Sequence, residues 1–190
     1  VVIAIIGILM SMILPSIQNV RQKSMGGVCL NNEKQLGVAI YMYTGDNNLY
    51  YPTNENTMHN WDDLLKTYDG RKKTSESGTE KYQGKLYECP LDQFKFSAGV
   101  FKRSYSMNKG NSPTHNRFRG VASNDGYSIP HNKIIFPSAS IVLFDFHSEH
   151  SKLGTNGNSL TGITHVNSKK DDAKFWGHDY GKSNYLLADG

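Results

Sequence analysis

The chain has 190 residues, of which 37% are hydrophobic and 20% are charged, and its formal net charge is +4. This length suits one domain with an appendage, and the scattered basic residues, interrupted by acidic ones, argue against a nucleic-acid surface. The two cysteines, Cys29 and Cys89, are too few for a disulfide scaffold or a Cys-only zinc site. They leave open either two thiols or, if the body lies outside the cytoplasm, one disulfide across a long loop.

The first predicted element is an apolar helix. Residues 1–17 are apolar, small or Pro, and the first charge is Arg21. A buried core helix would show a polar face, and a cleaved secretory signal would end in a small-residue cleavage site; this segment has neither feature. We expect residues 1–20 to form a transmembrane or filament-core segment, carried by Val1, Val2, Ile3, Ile5, Ile6, Ile8, Leu9, Ile13, Leu14 and Pro15.

The length of this segment is close to that of a membrane span. Seventeen helical residues extend about 26 Å, slightly less than a hydrocarbon core of about 30 Å. Because the chain does not begin with Met, we expect preceding residues to supply the remainder.

Residues 21–46 are predicted to continue the helix as an amphipathic segment. No Pro occurs between Gln18 and Tyr43, and apolar residues recur at spacings of three, four and seven. Pro15 is expected to kink the helix, and the Gly26–Gly27 pair to bend or briefly break it. The recurring residues predict a stripe that packs on a globular head of residues 47–190: Cys29, Leu36, Ala39, Ile40 and Tyr43.

The opening sequence VVIAIIGILMSMILPSIQNVRQKS resembles the N-terminal helix of type IV pilins and type II secretion pseudopilins. In that family a short basic leader, a cleavage site and a Phe-Thr-Leu-Ile-Glu-type stretch precede the matching residues. The resemblance implies a prepilin peptidase that cleaves and N-methylates the start. It also implies an inner-membrane anchor, and assembly with other pilin or pseudopilin subunits.

The body resembles a pseudopilin-like family of planctomycete and lentisphaera-type bacteria. The stretch CLNNEKQLGVAIYMYTGDNNLYYP matches that family's helix and turn, YECPLD its Cys-Pro motif, and FPSASIVLFDF a strand ending in Asp. The closing HDYGKSNYLLADG resembles its C-terminal processing-associated signature, a His followed by nine residues and Asp-Gly, although ten residues intervene here. The signature positions are Cys29, Asn32, Gln35, Leu36, Gly37, Cys89, Pro90, Asp145, His178, Asp189 and Gly190.

Short β-prone runs follow the helix. SYSMN, KIIF, SIVLFDF and SNYLLAD are bounded by Gly, Asn and Pro, which favours strands. The stretches 67–84 and 109–130 are rich in Ser, Gly and Asn and are predicted to be surface loops. The fold class expected is α+β and pilin-like, with a long N-terminal helix packed on a small antiparallel sheet with long loops.

Several residues raise the question of chemistry. In a strand, Asp145, His147 and Glu149 would share one face beside His150, a group able to hold a divalent metal. Solvent-facing polar residues at a strand end are the more common explanation. Asp145 with Asp189 is a weak calcium candidate, because no Asp-rich calcium loop is present. His178 with Asp189 is better explained by hydrogen bonds that hold the last hairpin than by acid–base catalysis.

Trp61 is expected to pack in the core or cover the sheet beside Leu64 and Leu65, rather than to form a sugar-stacking site. We expect no catalytic residue, no resident cofactor and no nucleic-acid partner.

The function expected is a structural pseudopilin or pilin-like subunit. It would be single-pass in the inner membrane, with a periplasmic head, and would assemble through its helix into a secretion pseudopilus or a surface filament. The alternatives are a membrane-anchored extracytoplasmic binding or adhesion domain, and a metal-dependent enzyme that uses Asp145, His147, His178 and Asp189.

Overall fold

The computed structural model describes residues 2–54, 60–73, 82–97, 99–110, 120–123, 126–148, 150–153, 160–161 and 183–190. Of the residues singled out above, Val1, Glu149, His178 and the side chain of Ile8 lie outside this described part. The architecture is α+β, with one long N-terminal helix and a small sheet.

Helix α1 runs without interruption from Val2 to Asp46. The break expected at Gly26–Gly27 is therefore wrong: the helix tolerates both glycines, each costing about 1 kcal/mol relative to Ala. The helix also continues past Pro15. It ends in a left-handed turn, where Asn48 and Leu49 have φ values of 52° and 68°. Asn tolerates this conformation better than most residues, and the Leu49 N–H satisfies the Thr44 carbonyl at 2.8 Å.

The main sheet has four strands in the order β5-β3-β4-β6. Strands β3 (Tyr105–Asn108), β4 (Ile141–Asp145) and β6 (Tyr185–Leu187) pair antiparallel, as the sequence predicts, with Tyr105 opposite Asp145. Strand β5 (Leu160–Thr161) pairs parallel to β3, so the sheet is mixed. A separate two-stranded hairpin, β1 (Lys72–Lys73) with β2 (Tyr82–Gln83), lies in the stretch predicted as loop.

The KIIF run is not a strand. Lys133 belongs to a 3-10 turn (His131–Lys133), and Pro137 begins another (Pro137–Ala139). Only three residues separate these turns, which leaves no room for strand pairing. Ile135 and Phe136 are therefore largely exposed, at 82% and 69%.

The second half of α1 forms one wall of the core. The predicted stripe is confirmed, because Cys29, Leu36, Ala39 and Ile40 are buried and Tyr43 packs against them. The helix contacts β4, β6 and the 3-10 turn Lys85–Tyr87. A hydrogen bond also connects β3 to the helix, because the Tyr105 hydroxyl donates to the Cys29 carbonyl at 3.2 Å.

Gly37 marks a close approach of helix α1 to the sheet. A Cβ at this position would lie 2.9 Å from the Leu186 side chain on β6. The absence of a side chain therefore lets the last strand sit directly on α1.

Helix α2 (Trp61–Leu64) closes the other side of the core. Trp61 is fully buried, as expected, and its ring lies 5.7 Å from that of Tyr87. The adjacent Asp62 carboxylate pairs with the Arg103 guanidinium at 2.6 Å, and both side chains are buried. The ion pair therefore ties α2 to the segment that leads into β3.

Candidate functional site

The first half of α1 carries a large exposed apolar surface. Its large apolar side chains expose 49% to 86% of their area: Val2, Ile3, Ile5, Ile6, Leu9, Met10, Met12, Ile13, Leu14, Ile17 and Val20. They occur on every side of the helix, and at about 25 cal/mol per Å² their burial is worth on the order of 10 kcal/mol. This set of residues is named the bare segment below.

Within the part of the chain that the structure describes, none of the helices combines the length and the apolar character required to cross a membrane.

The second half of α1 has two different faces. One face is the buried stripe that contacts the head. The opposite side exposes Leu30, Val38 and Met42, with Val38 and Met42 one helical turn apart. The exposed polar residues Arg21, Lys23 and Lys34 separate these three side chains from the bare segment or lie among them.

A disulfide fastens the helix to the head. Cys29 of α1 and Cys89 of the loop after the Lys85–Tyr87 turn are joined, with Cα atoms 5.0 Å apart. The bridge spans 60 positions of sequence, and a loop of that size is stabilised by about 4 kcal/mol on a chain-entropy basis. The Asn32 side chain adds a second tie by donating to the Glu88 carbonyl at 3.1 Å.

The end of β4 brings three potential ligands together. The Cys89 sulfur, a carboxylate oxygen of Asp145 and a ring nitrogen of His147 all lie within 4.8 Å of one another. All three residues are buried. The structure thus places Asp145 and His147 together, as the strand spacing predicts, but adds Cys89 as their neighbour. His150, the other candidate nearby, is exposed.

Two buried carboxyl groups have raised pKa values here: Asp145, which belongs to the cluster, and Glu33 of α1, which interacts with Asp145. Burial raises the pKa of Glu33 to about 9, the negative charge of Asp145 adds to this effect, and the Leu186 backbone N–H opposes it. No hydrogen bond of normal geometry reaches either Glu33 oxygen among the described residues. Burial also raises the pKa of Asp145 to about 7, against hydrogen bonds from Asn184, whose N–H donates to Oδ2 at 2.9 Å.

Asp189 does not join this cluster. Strand β6 ends at Leu187, and the chain then turns outward, so that Asp189 and Gly190 are exposed. The turn is held against α1 by the Tyr41 hydroxyl, which donates to the Ala188 carbonyl. Asp189 is not among the three residues whose ligand atoms lie within 4.8 Å of one another, and the calcium site of Asp145 and Asp189 stays a prediction.

Four of the signature positions line an open cleft beside the disulfide: Asn32, Gln35, Cys89 and Pro90. Asn32 and Gln35 of α1 face the loop that carries Cys89 and Pro90, and Lys102 contributes to the far wall. Glu88 also lines this cleft, and burial raises its pKa against the charges of Lys102 and Lys85. Neither Asp145 nor His147 lines this cleft.

Two features were missed from sequence. Glu33 lies one turn from Cys29 and nearly one turn from Leu36, so it falls on the buried stripe, but a charged residue at that position indicates exposure by default. The proximity of Cys89 to Asp145 and His147 depends on tertiary packing, because Cys89 lies far from both in sequence. No protein-family model, curated protein or solved structure matches the chain.

Proposed function

We propose that the chain is a pilin-like structural subunit that assembles with other copies by packing the bare segment into the core of a filament. The head stays attached to the outside of that core through the docked half of α1. Before assembly, the bare segment is held in the inner membrane, with the head on the periplasmic side.

The observation that carries the proposal is that the head covers one face of the second half of α1 but does not cover the bare segment. The bare segment is apolar on all sides, and no described residue of the head covers it. Exposure of that much apolar surface to water is costly, and helices of other copies or lipid would remove it from water. Exchange between these two surroundings is inexpensive because both are apolar.

The disulfide supports the compartment assigned to the head. Structural disulfides persist in secreted, periplasmic and cell-surface proteins and are rare in the reducing cytosol. The buried Cys29–Cys89 bridge joins the helix to the head, so an oxidising environment favours the docked arrangement.

The outer face of the docked half is compatible with assembly. Leu30, Val38 and Met42 are exposed on this face. Neighbouring helices in a filament would cover these side chains as well.

The test places a charge in the bare segment. Ile13→Asp should reduce filament yield at least tenfold, because an unpaired carboxylate in an apolar core costs several kcal/mol. Gln93→Asp is the matched control, since it adds the same charge at an exposed head position and should leave filaments intact. Filaments are counted by electron microscopy and sedimentation. Equal yields for the two variants would contradict the proposal, as would a wild-type chain that stays monomeric in its native membrane.

A further inference from the structure

The Cys89–Asp145–His147 cluster contains the ligand types of a zinc site. Thiolate sulfur, imidazole nitrogen and carboxylate oxygen are the donors that zinc uses in proteins, usually four in a tetrahedron. Here the three donor atoms lie within 4.8 Å of one another and belong to side chains that are each no more than 3% exposed. Calcium is a poorer match, because it prefers six to eight oxygen ligands.

We propose that the reduced protein binds a zinc-type divalent cation through Cys89, Asp145 and His147, and that this binding and the Cys29–Cys89 disulfide exclude each other. The exclusion follows from the shared sulfur atom. A disulfide sulfur is a poor metal ligand, whereas the thiolate released by reduction is a strong one.

The geometry requires only small movements. With bonds of about 2.3 Å to sulfur and about 2.0 Å to nitrogen or oxygen, tetrahedral ligand atoms lie roughly 3.3–3.6 Å apart. The three donor atoms therefore reach these distances from one another with side-chain shifts of about 1 Å. Asn184 holds Asp145 Oδ2 through its backbone N–H, and such outer contacts orient metal ligands. A water would complete the coordination.

A dithiol reductant supplies the electrons and protons that reduce the Cys29–Cys89 disulfide. Its thiolate attacks one sulfur of the bridge, the Cys29–Cys89 bond breaks, and a mixed disulfide forms. The second thiol of the reductant then closes its own disulfide, so that two electrons and two protons reach the protein as two thiols. The cation binds the Cys89 thiolate, and the proton of that thiol passes to solvent.

The two states fasten the Cys89 loop to different elements. In the disulfide state the loop is attached to Cys29 on helix α1. In the metal state it is attached to Asp145 and His147 at the end of β4. The cation would thus hold the head together in the period before oxidation, while α1 is not yet covalently fastened. This inference does not depend on filament assembly.

A matched pair of variants tests the site without any reductant. Cys29→Ser leaves Cys89 as a free thiol beside Asp145 and His147, whereas Cys89→Ser leaves only Cys29. Both lose the same bridge. In the full chain, Cys29→Ser should bind one Co²⁺ with a thiolate-to-cobalt charge-transfer band that Zn²⁺ abolishes. Cys89→Ser should show no such band and at least tenfold weaker binding. Equal binding by the two variants, or no band in Cys29→Ser, would overturn the proposal.

A second measurement uses the native cysteines and covers the case in which a variant does not fold. Wild-type protein is reduced with a dithiol, freed of it, and reoxidised with glutathione disulfide, with and without Zn²⁺. Zinc should slow the return of the bridge at least tenfold in wild type and much less in His147→Ala. If the rate is unchanged by zinc in wild type, or slowed equally in His147→Ala, the site is wrong.

Discussion

The two halves of helix α1 have similar backbones and opposite surroundings. In the bare segment every large apolar side chain described is at least about half exposed, whereas one face of residues 29–44 is buried against the sheet and the disulfide. The difference does not arise from helix propensity, since the helix is continuous from Val2 to Asp46. It arises from what each half packs against: the head buries one face of the docked half, whereas no described residue of the head covers the bare segment.

Because α1 is one continuous helix, it links the head rigidly to the bare segment. Its 45 residues extend roughly 68 Å at 1.5 Å per residue. A rod of that length carries the head clear of any surroundings that bury the first half. In the proposed function, the docked half of α1 would stabilise the head and the bare segment would serve assembly.

The largest expected effect comes from a substitution that weakens only the buried face of the docked half. Leu36→Ala should lower the free energy of unfolding of the head by about 3 kcal/mol, because it leaves a cavity in the core. Val38→Ala removes a similar apolar group from the outer face, where the side chain is 55% exposed, and should change stability by less than about 0.5 kcal/mol. Urea unfolding, monitored by tryptophan fluorescence, measures the free energy of unfolding of both variants. Similar losses would mean that the two faces are not distinguished in solution.

A second prediction concerns the one acidic residue on the buried stripe. Glu33 faces Asp145 on β4, with the Tyr105 hydroxyl nearby, and its pKa of about 9 lies far above that of the unfolded chain. The folded state therefore holds a proton that the unfolded state releases, so stability should fall as pH rises between these two pKa values. From about pH 5.5 to 7.5 the loss should be roughly 2 to 3 kcal/mol.

Glu33→Gln should remove the contribution of Glu33, leave the pH dependence that comes from the raised pKa of Asp145, and be more stable than wild type at neutral pH. Thermal unfolding with a chelator present compares the two proteins across the range. Parallel curves for wild type and Glu33→Gln would show that the carboxyl is solvated or paired in the folded state.

The smallest effect distinguishes two glycines of the same helix. Gly27→Ala meets no atom within 4 Å of the new Cβ and should stabilise the protein by about 1 kcal/mol through helix propensity. Gly37→Ala would place its Cβ 2.9 Å from Leu186, and the resulting overpacking should cancel or exceed the same gain. The two variants should differ by about 2 kcal/mol in unfolding experiments. Equal effects would indicate that β6 does not press on α1.

The elements predicted well are those whose own sequence determines them. The stripe from Cys29 to Tyr43 repeats with the helical period, and the runs around β3, β4 and β6 are apolar enough to be buried strands. KIIF has the same local character, but it is confined between two turns and has no strand to pair with. Pairing partners, not propensity, decide such short segments.

The candidate metal cluster was only half predictable. Asp145 and His147 lie two residues apart, so the period of a strand brings their side chains to one side. Cys89 lies far from them in sequence, and only the packing of the Cys89 loop between α1 and the end of β4 brings it near. Likewise the burial of Glu33 depends on the strands that cover α1.

Photo-crosslinking in intact cells tests the central claim most directly. A photoreactive residue at Ile13, in the bare segment, is compared with one at the exposed head residue Lys66. Filament assembly predicts a ladder of dimers and larger products from position 13, with linkage between α1 helices, and little from position 66. If position 13 yields only monomer, or products no different from those of position 66, the bare segment is not the assembly surface.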